Sequence, residues 1–127
     1  MHSGSDVLEA WLVGVGIGVL GEVTARALRF WLYRNPVYPV LNVAVMFGIV
    51  MGGLSLLVPR IGGGGVFLLG LAIGYAYEWL NFAALDWWRF PNDRFLAFRG
   101  KQGCAVSVAV LWGTVPLLNH LLRLALA

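Results

Sequence analysis

Apolar residues dominate four long stretches of the chain, and short polar connections separate these stretches. The stretches cover residues 7–33, 38–58, 66–88 and 104–125. Each is at least as long as the roughly 20 mostly apolar residues that a helix needs to cross a bilayer. The pattern therefore predicts an all-α integral membrane protein. We expect residues 1–127 to form a single transmembrane domain, a bundle of four transmembrane helices.

The connections carry residues that end helices. Pro36 follows the first stretch, and a proline disfavours helical geometry in the residue before it. Pro59 and the glycines at 62–65 predict a flexible turn between the second and third stretches. The longest polar connection covers residues 89–101. These breaks predict four separate spans joined by short loops.

The composition changes the expected solvent from water to lipid. Hydrophobic residues make up 60% of the 127 residues, and charged residues make up 12%, against about 25% charged in a typical soluble domain. A water-soluble chain of this length could not bury so much apolar surface. The net charge of +3 comes from basic residues near the ends of apolar stretches. That placement indicates contact with the lipid bilayer and its headgroups, and not with nucleic acid.

The distribution of basic residues predicts an orientation. One side of the predicted bundle carries Arg26, Arg29, Arg34, Arg89, Arg94, Arg99 and Lys101. The other side carries Arg60 and Arg123. Basic residues concentrate in cytoplasmic connections of membrane proteins. We therefore expect a multi-pass protein of a bacterial-type inner (plasma) membrane, with both termini outside, in the periplasm.

Three of the predicted helices carry glycines at four-residue spacing. The pairs are Gly14 with Gly18, Gly48 with Gly52, and Gly70 with Gly74. Lipid gives helices little hydrophobic reason to associate, so small residues at this spacing are typical of helix-packing surfaces. On two helices a glutamate continues the stripe four residues later, Glu22 and Glu78.

The two stripes suggest an internal repeat. Glu78 follows Glu22 by 56 residues, and an arginine and a proline follow each glutamate about a dozen residues later. A duplicated helical hairpin in parallel orientation would produce this pattern, and it is a known layout of membrane carriers. The second and fourth apolar stretches match poorly, so the duplication stays a hypothesis.

The glutamates and nearby polar residues form a predicted intramembrane polar site. A charged side chain at mid-membrane costs about 3 kcal/mol on insertion scales, and such residues usually face the bundle interior and a partner. Arg26, one turn after Glu22, predicts a structural ion pair. Glu78 has no basic residue within one turn, so it is either functional or held across helices. Its candidate partners are Asn81, Asn42 and His120.

A second candidate site lies at the membrane interface. Asp86, Arg89 and Asp93 occupy or border the longest connection, where they would either bind a phosphate or Mg²⁺ or simply be solvated. His120 lies near the outer end of the last helix. It is interpreted either as a proton relay or ligand, or as an ordinary interfacial histidine.

Three classes of function remain open. The short loops and scarce polar groups favour a non-catalytic accessory or assembly subunit of a larger membrane complex. The alternatives are a small homo-oligomeric transporter or channel that uses Glu78 and Glu22, and a lipid-modifying enzyme. With a single cysteine, Cys104, the chain has no internal disulfide and no cysteine metal cluster. No cofactor is predicted, although a bound lipid or pigment stays open, and partners would be other membrane subunits or further copies of the chain.

Overall fold

The structure, a computed structural model, describes residues 4–95 and 98–127, and most of these residues are helical. The described residues form four long helices: α1 (Gly4–Ala27), α2 (Val37–Ser55), α3 (Val58–Leu85) and α4 (Gly100–Leu126). Each helix is long and apolar enough to cross a membrane by length and composition. The prediction of four apolar helices of spanning length is therefore confirmed.

Helix α1 ends at Ala27, although its apolar stretch continues to residue 33. Arg29 adopts a left-handed conformation with φ 56°, and the amide of Phe30 donates to the carbonyl oxygen of Ala25 at 2.8 Å. This arrangement closes the end of the helix, as left-handed residues do at many helix ends. The apolar residues that follow then form extended structure.

Helix α3 begins at Val58, eight residues before the predicted span. Pro59 lies in its first turn, where a missing amide hydrogen costs no helical bond. Gly62 has φ 80° and ψ 163°, a conformation open to glycine, and it kinks the helix. The glycines at 62–65 therefore lie inside a kinked helix, and residues 56–57 make the turn between α2 and α3.

Two segments are wound as π-helices, with a wider turn than an α-helix. They are Asn42–Met51 in α2 and Asn81–Leu85 at the end of α3. Asp86 follows the second segment in a left-handed conformation, with φ 50°. Widened turns of this kind commonly occur at functional sites.

Short strands, which the helical pattern did not predict, lie at one end of the bundle, where one pair of them joins the two halves of the chain. They are β1 (Leu32–Tyr33), β2 (Trp88–Arg89), β3 (Arg94–Phe95) and β4 (Phe98–Arg99). Strand β1 pairs antiparallel with β2, and β3 pairs antiparallel with β4. We call this the basic end, because these strands and their flanks carry Arg29, Arg34, Arg89, Arg94 and Arg99.

At the opposite end, where residues 56–57 join α2 to α3, polar side chains connect three helices. Asn119 donates from Nδ2 to the carbonyl oxygen of Ala10 at 3.0 Å. Arg123 donates to Asn119 Oδ1 at 2.9 Å and to Ser55 Oγ at 3.0 Å. Gly52 also lies against the Ala10 backbone, and a Cβ added at Gly52 would lie 2.9 Å from the carbonyl oxygen of Ala10. Helices α1, α2 and α4 are therefore held together at this end.

Within the first half of the chain, glycines bring α1 and α2 into backbone contact. Gly14 lies against the backbone of Phe47 and Gly48, and Gly18 lies against the Phe47 ring. In the other direction, Gly48 faces the indole of Trp11. Since any side chain at these positions would overlap its neighbour, α1 and α2 form a tight hairpin.

The second half of the chain packs in the same way. Gly70 lies against the backbone of Trp112 and Gly113, and Gly74 lies against the Trp112 ring. Gly113 faces Phe67 in turn. Helices α3 and α4 therefore form a second hairpin, in which an aromatic residue followed by glycine meets a pair of glycines four residues apart.

We expect Gly14→Ala to lower the free energy of unfolding by about 1–3 kcal/mol, because the added methyl group would overlap the Phe47 carbonyl oxygen. Gly16→Ala is the matched control, since a Cβ at Gly16 meets no atom within 4 Å. That control should raise stability by about 0.5–1 kcal/mol. Denaturant titration of both variants in detergent micelles measures the difference, and equal stability would contradict the contact.

Candidate functional site

A cavity of about 590 Å³ lies between the two hairpins. Its volume falls within the range of small-molecule sites, about 300–1,000 Å³. Leu20 of α1 and Leu111, Leu118 and Leu122 of α4 line it and are exposed. The cavity therefore opens at the surface of the bundle between α1 and α4, along a wall of apolar side chains.

Glu78 lines this cavity and is 3% exposed. Its Oε2 atom accepts a hydrogen bond from Trp88 Nε1 at 3.0 Å, and within the described ranges this is its single hydrogen-bond donor. Lysine and arginine are absent from the described lining of the cavity. The carboxyl group of Glu78 is thus buried beside an apolar space with one donor and no described cation.

Asn81 does not hydrogen-bond to Glu78 but supports it indirectly. Its Oδ1 atom accepts from the amides of Trp87 and Trp88, at 2.7 and 3.3 Å. Its Nδ2 atom donates to the carbonyl oxygen of Trp88 at 2.9 Å. Asn81 is 1% exposed, so these bonds replace water for the backbone that follows α3. The amide side chain thereby positions Trp88 to donate to Glu78.

Glu22 has three neutral donors, and the predicted ion pair with Arg26 is wrong. Trp31 Nε1 donates to Oε2 at 3.1 Å, while Tyr33 Oη and Asn42 Nδ2 each donate to Oε1 at 2.7 Å. Arg26 is exposed, and among the described residues the one salt bridge is elsewhere. Glu22 instead accepts hydrogen bonds from Tyr33 of β1, from Trp31 directly before β1 and from Asn42 of α2.

Asn42 connects the surroundings of the two glutamates. It donates from Nδ2 to Tyr33 Oη at 3.1 Å and accepts at Oδ1 from Tyr77 Oη at 3.4 Å. Tyr77 precedes Glu78 on α3, so the polar network of the first hairpin reaches the second. Burial raises the pKa of the Tyr33 phenol above its ordinary value, and the negative charge of Glu22 raises it further.

Trp31 and Trp88 are site residues that the hydrophobic pattern did not indicate. Trp31 follows Glu22 by nine residues, and Trp88 follows Glu78 by ten. Both indoles fold back onto the glutamate of their own hairpin. The repeated spacing between a glutamate and a tryptophan was the available signal.

The predicted interfacial residues are divided by the fold. Asp86, Arg89 and Asp93 line a small pocket of about 240 Å³ at the basic end. Asp86 also pairs with Arg34 at 3.3 Å, and both side chains are mostly exposed, so the pair adds little stability. His120 lies next to Asn119, at the opposite end of the bundle, and so belongs neither to this pocket nor to the Glu78 site. Across residues 4–95 and 98–127, no cluster of three His, Cys, Asp or Glu could hold a metal ion.

Comparison with known proteins adds no functional assignment to this geometry. No protein-family model, no curated protein and no solved structure matches the chain. Function is therefore inferred from the chemistry of the cavity and of the Glu78 carboxyl group on its lining.

We expect Asn81→Ala to lower the free energy of unfolding by about 2–3 kcal/mol, because it leaves buried backbone groups of residues 87 and 88 without partners. The matched control is Asn35→Ala, which removes one exposed bond to the amide of Val37. The control should change stability by about 0.5 kcal/mol or less. Unfolding of both variants in the same detergent tests this, and similar losses would rule out a special role for Asn81.

Proposed function

We propose that this chain is a multi-pass membrane protein that binds a lipophilic cation in the cavity between its hairpins and carries it across the bilayer. The observation that carries the proposal is the buried carboxyl group of Glu78 on an apolar cavity whose described lining has no basic residue. The cavity opens between α1 and α4, so a molecule dissolved in lipid has direct access to it. The proposal follows the transporter alternative drawn from the sequence.

Electrostatics favour a positively charged occupant. A carboxylate in apolar surroundings costs several kcal/mol unless a charge or several hydrogen bonds compensate it. Trp88 supplies one hydrogen bond to Glu78, whereas Glu22 receives three. The remaining compensation has to come from a proton or from a cation that enters the cavity.

Aromatic side chains beside Glu78 favour an organic cation over a metal ion. The ring centroid of Tyr77 lies 4.8 Å from that of Trp88 and 5.4 Å from that of Trp112. All three rings line the cavity. Aromatic faces attract ammonium-type cations, but they provide none of the oxygen ligands that a hydrated metal ion would need. A cation with an apolar body fits both the rings and the leucine wall.

A carboxyl group that binds either a proton or a cation provides a means of exchange. Protons and the cation would compete for Glu78, so affinity for the cation should fall as the pH is lowered. Release of the proton on one side and its uptake on the other would couple cation movement to the proton gradient.

The proposed topology follows the positive-inside rule. Placing the basic end in the cytoplasm puts the four apolar helices in the bilayer and the polar residues 86–95 in the headgroup region. Both termini would then lie outside, in the periplasm of a bacterial-type inner membrane. This arrangement keeps Glu22 and Glu78 nearer the cytoplasmic boundary than the outer one.

We also infer that the two hairpins are copies of one ancestral hairpin, as the glycine–glutamate stripes suggest. Phe47 with Gly48 packs on α1 as Trp112 with Gly113 packs on α3. The tryptophan that binds each glutamate comes one residue later in the second hairpin, after the π-helical turn Asn81–Leu85.

The decisive variant is Glu78→Gln, which keeps the shape of the side chain and removes its charge. We expect it to bind tetraphenylphosphonium about tenfold more weakly than the wild type, because the carboxylate supplies the charge that the cation meets. Glu9→Gln, an exposed change of the same charge on α1, should bind as the wild type does. Calorimetric titration of the purified proteins in detergent measures both affinities.

Two further measurements separate binding from transport. Proteoliposomes with an imposed proton gradient should accumulate tetraphenylphosphonium with the wild type and not with Glu78→Gln. A neutral aromatic compound of similar size should bind weakly to both. Equal affinity for the charged and the neutral compound would contradict the cation proposal and favour a bound lipid or pigment.

The second candidate is the accessory or assembly subunit that the sequence favoured. Helix α1 supports it, because only 17% of its most apolar 18-residue segment is buried within the chain. Such a face suits another membrane subunit as well as lipid. Affinity purification from native membranes, read by native mass spectrometry, should then recover stoichiometric partner subunits, whereas a monomer or homo-oligomer would contradict it. A lipid-modifying enzyme stays a prediction from sequence alone.

A further inference from the structure

A second and larger pocket lies at the basic end, separate from the Glu78 cavity. Its volume is about 720 Å³, and it is lined by residues of α1, of β1 and its flanks, of the start of α2 and of β2. Tyr33 and Trp31 line both spaces and form the wall between them. The pocket needs a separate explanation, because the proposed cation site uses neither its charges nor its volume.

Three arginines from different parts of the chain converge on this pocket. Arg26 comes from the last turn of α1, Arg34 follows β1, and Arg89 lies in β2. Arg34 is paired with Asp86. Within the described part of the chain, Arg26 and Arg89 have no carboxylate partner. Two arginines of the pocket lining therefore form no ion pair among the described residues, although Arg89 also borders the small pocket of Asp86 and Asp93.

Glu22, the one carboxylate of the described lining, does not form an ion pair with these arginines. Glu22 accepts three hydrogen bonds, from Trp31, Tyr33 and Asn42, and all three donors lie within the first hairpin. Its oxygens are thus turned toward neutral donors, and no salt bridge joins it to an arginine within the described residues. The pocket keeps an excess of positive charge.

We propose that this pocket binds the phosphate group of an anionic phospholipid. Guanidinium groups match phosphate oxygens with paired hydrogen bonds. The same pocket has apolar walls, Val23, Leu32, Pro36 and Pro39, which a free hydrated phosphate does not need. Val19 and Val23 are exposed on one face of α1 and continue this apolar surface toward the middle of the helix. A phosphate with an attached acyl chain satisfies both parts of the lining.

The test is native mass spectrometry of the detergent-purified protein titrated with phosphatidylglycerol. The wild type should retain one lipid more tightly than any further ones. Arg26→Gln combined with Arg89→Gln should weaken that first binding step about 25-fold, at about fivefold for each arginine near an anionic lipid. The control combines Arg94→Gln with Arg99→Gln, which removes the same charge from paired strands at the same end but outside the pocket.

Each result decides the proposal. Loss of the tight lipid in the pocket variant but not in the control supports it, provided that both variants keep the wild-type unfolding midpoint. Equal weakening in both variants would show a general charge effect and overturn the proposal. If the pocket variant unfolds, single Arg26→Lys and Arg89→Lys variants, which keep the charge but lose paired hydrogen bonds, should still weaken the first step. Inorganic phosphate that binds the wild type where phosphatidylglycerol does not would overturn the lipid as its source.

Discussion

A carboxyl group inside an apolar helix bundle has to find its hydrogen-bond donors within the protein. Here the donors include tryptophan side chains that lie beyond the ends of the helices that carry the glutamates. Trp31 and Trp88 reach back to Glu22 and Glu78 because the chain turns sharply after α1 and again after α3. Arg29 and Asp86 are the left-handed residues of these two turns, and β1 pairs with β2 shortly after them.

Close packing within each hairpin explains why space is left between the hairpins. Glycines bring α1 onto α2 and α3 onto α4 until backbones touch, and at the opposite end Asn119 ties α4 to α1. Between the hairpins, large aromatic and leucine side chains meet without such glycine contacts. A cavity results where the two apolar faces do not fill the gap, and Glu78 borders it.

The two glutamates occupy similar positions in their hairpins but differ in how many hydrogen bonds their carboxyl groups accept. Three donors satisfy Glu22, so it acts as a structural group that holds Tyr33 and Asn42 in the wall between cavity and pocket. Among the described residues one donor, Trp88, contacts Glu78, and in the proposed function a proton or a cation supplies the remaining compensation. The proposed ligands follow this division, with a cation beside Glu78 and a phosphate beside the arginines on the other side of the wall.

The hydrophobic pattern by itself determined four apolar helices and their order, and spacing along single helices identified the glycine stripes and the two glutamates that continue them, Glu22 and Glu78. The hydrogen-bond partners of these two glutamates could not be predicted from spacing along one helix. Arg26 lies one turn from Glu22 yet forms no ion pair with it among the described residues, while Trp31, Tyr33 and Asn42 donate to Glu22 from beyond the helix. The sequence predicted Asn81 as a partner of Glu78, whereas its side chain hydrogen-bonds to the backbone of Trp88. Only tertiary structure decided these pairings, since they depend on how the chain reverses direction after each helix and on which side chains then meet.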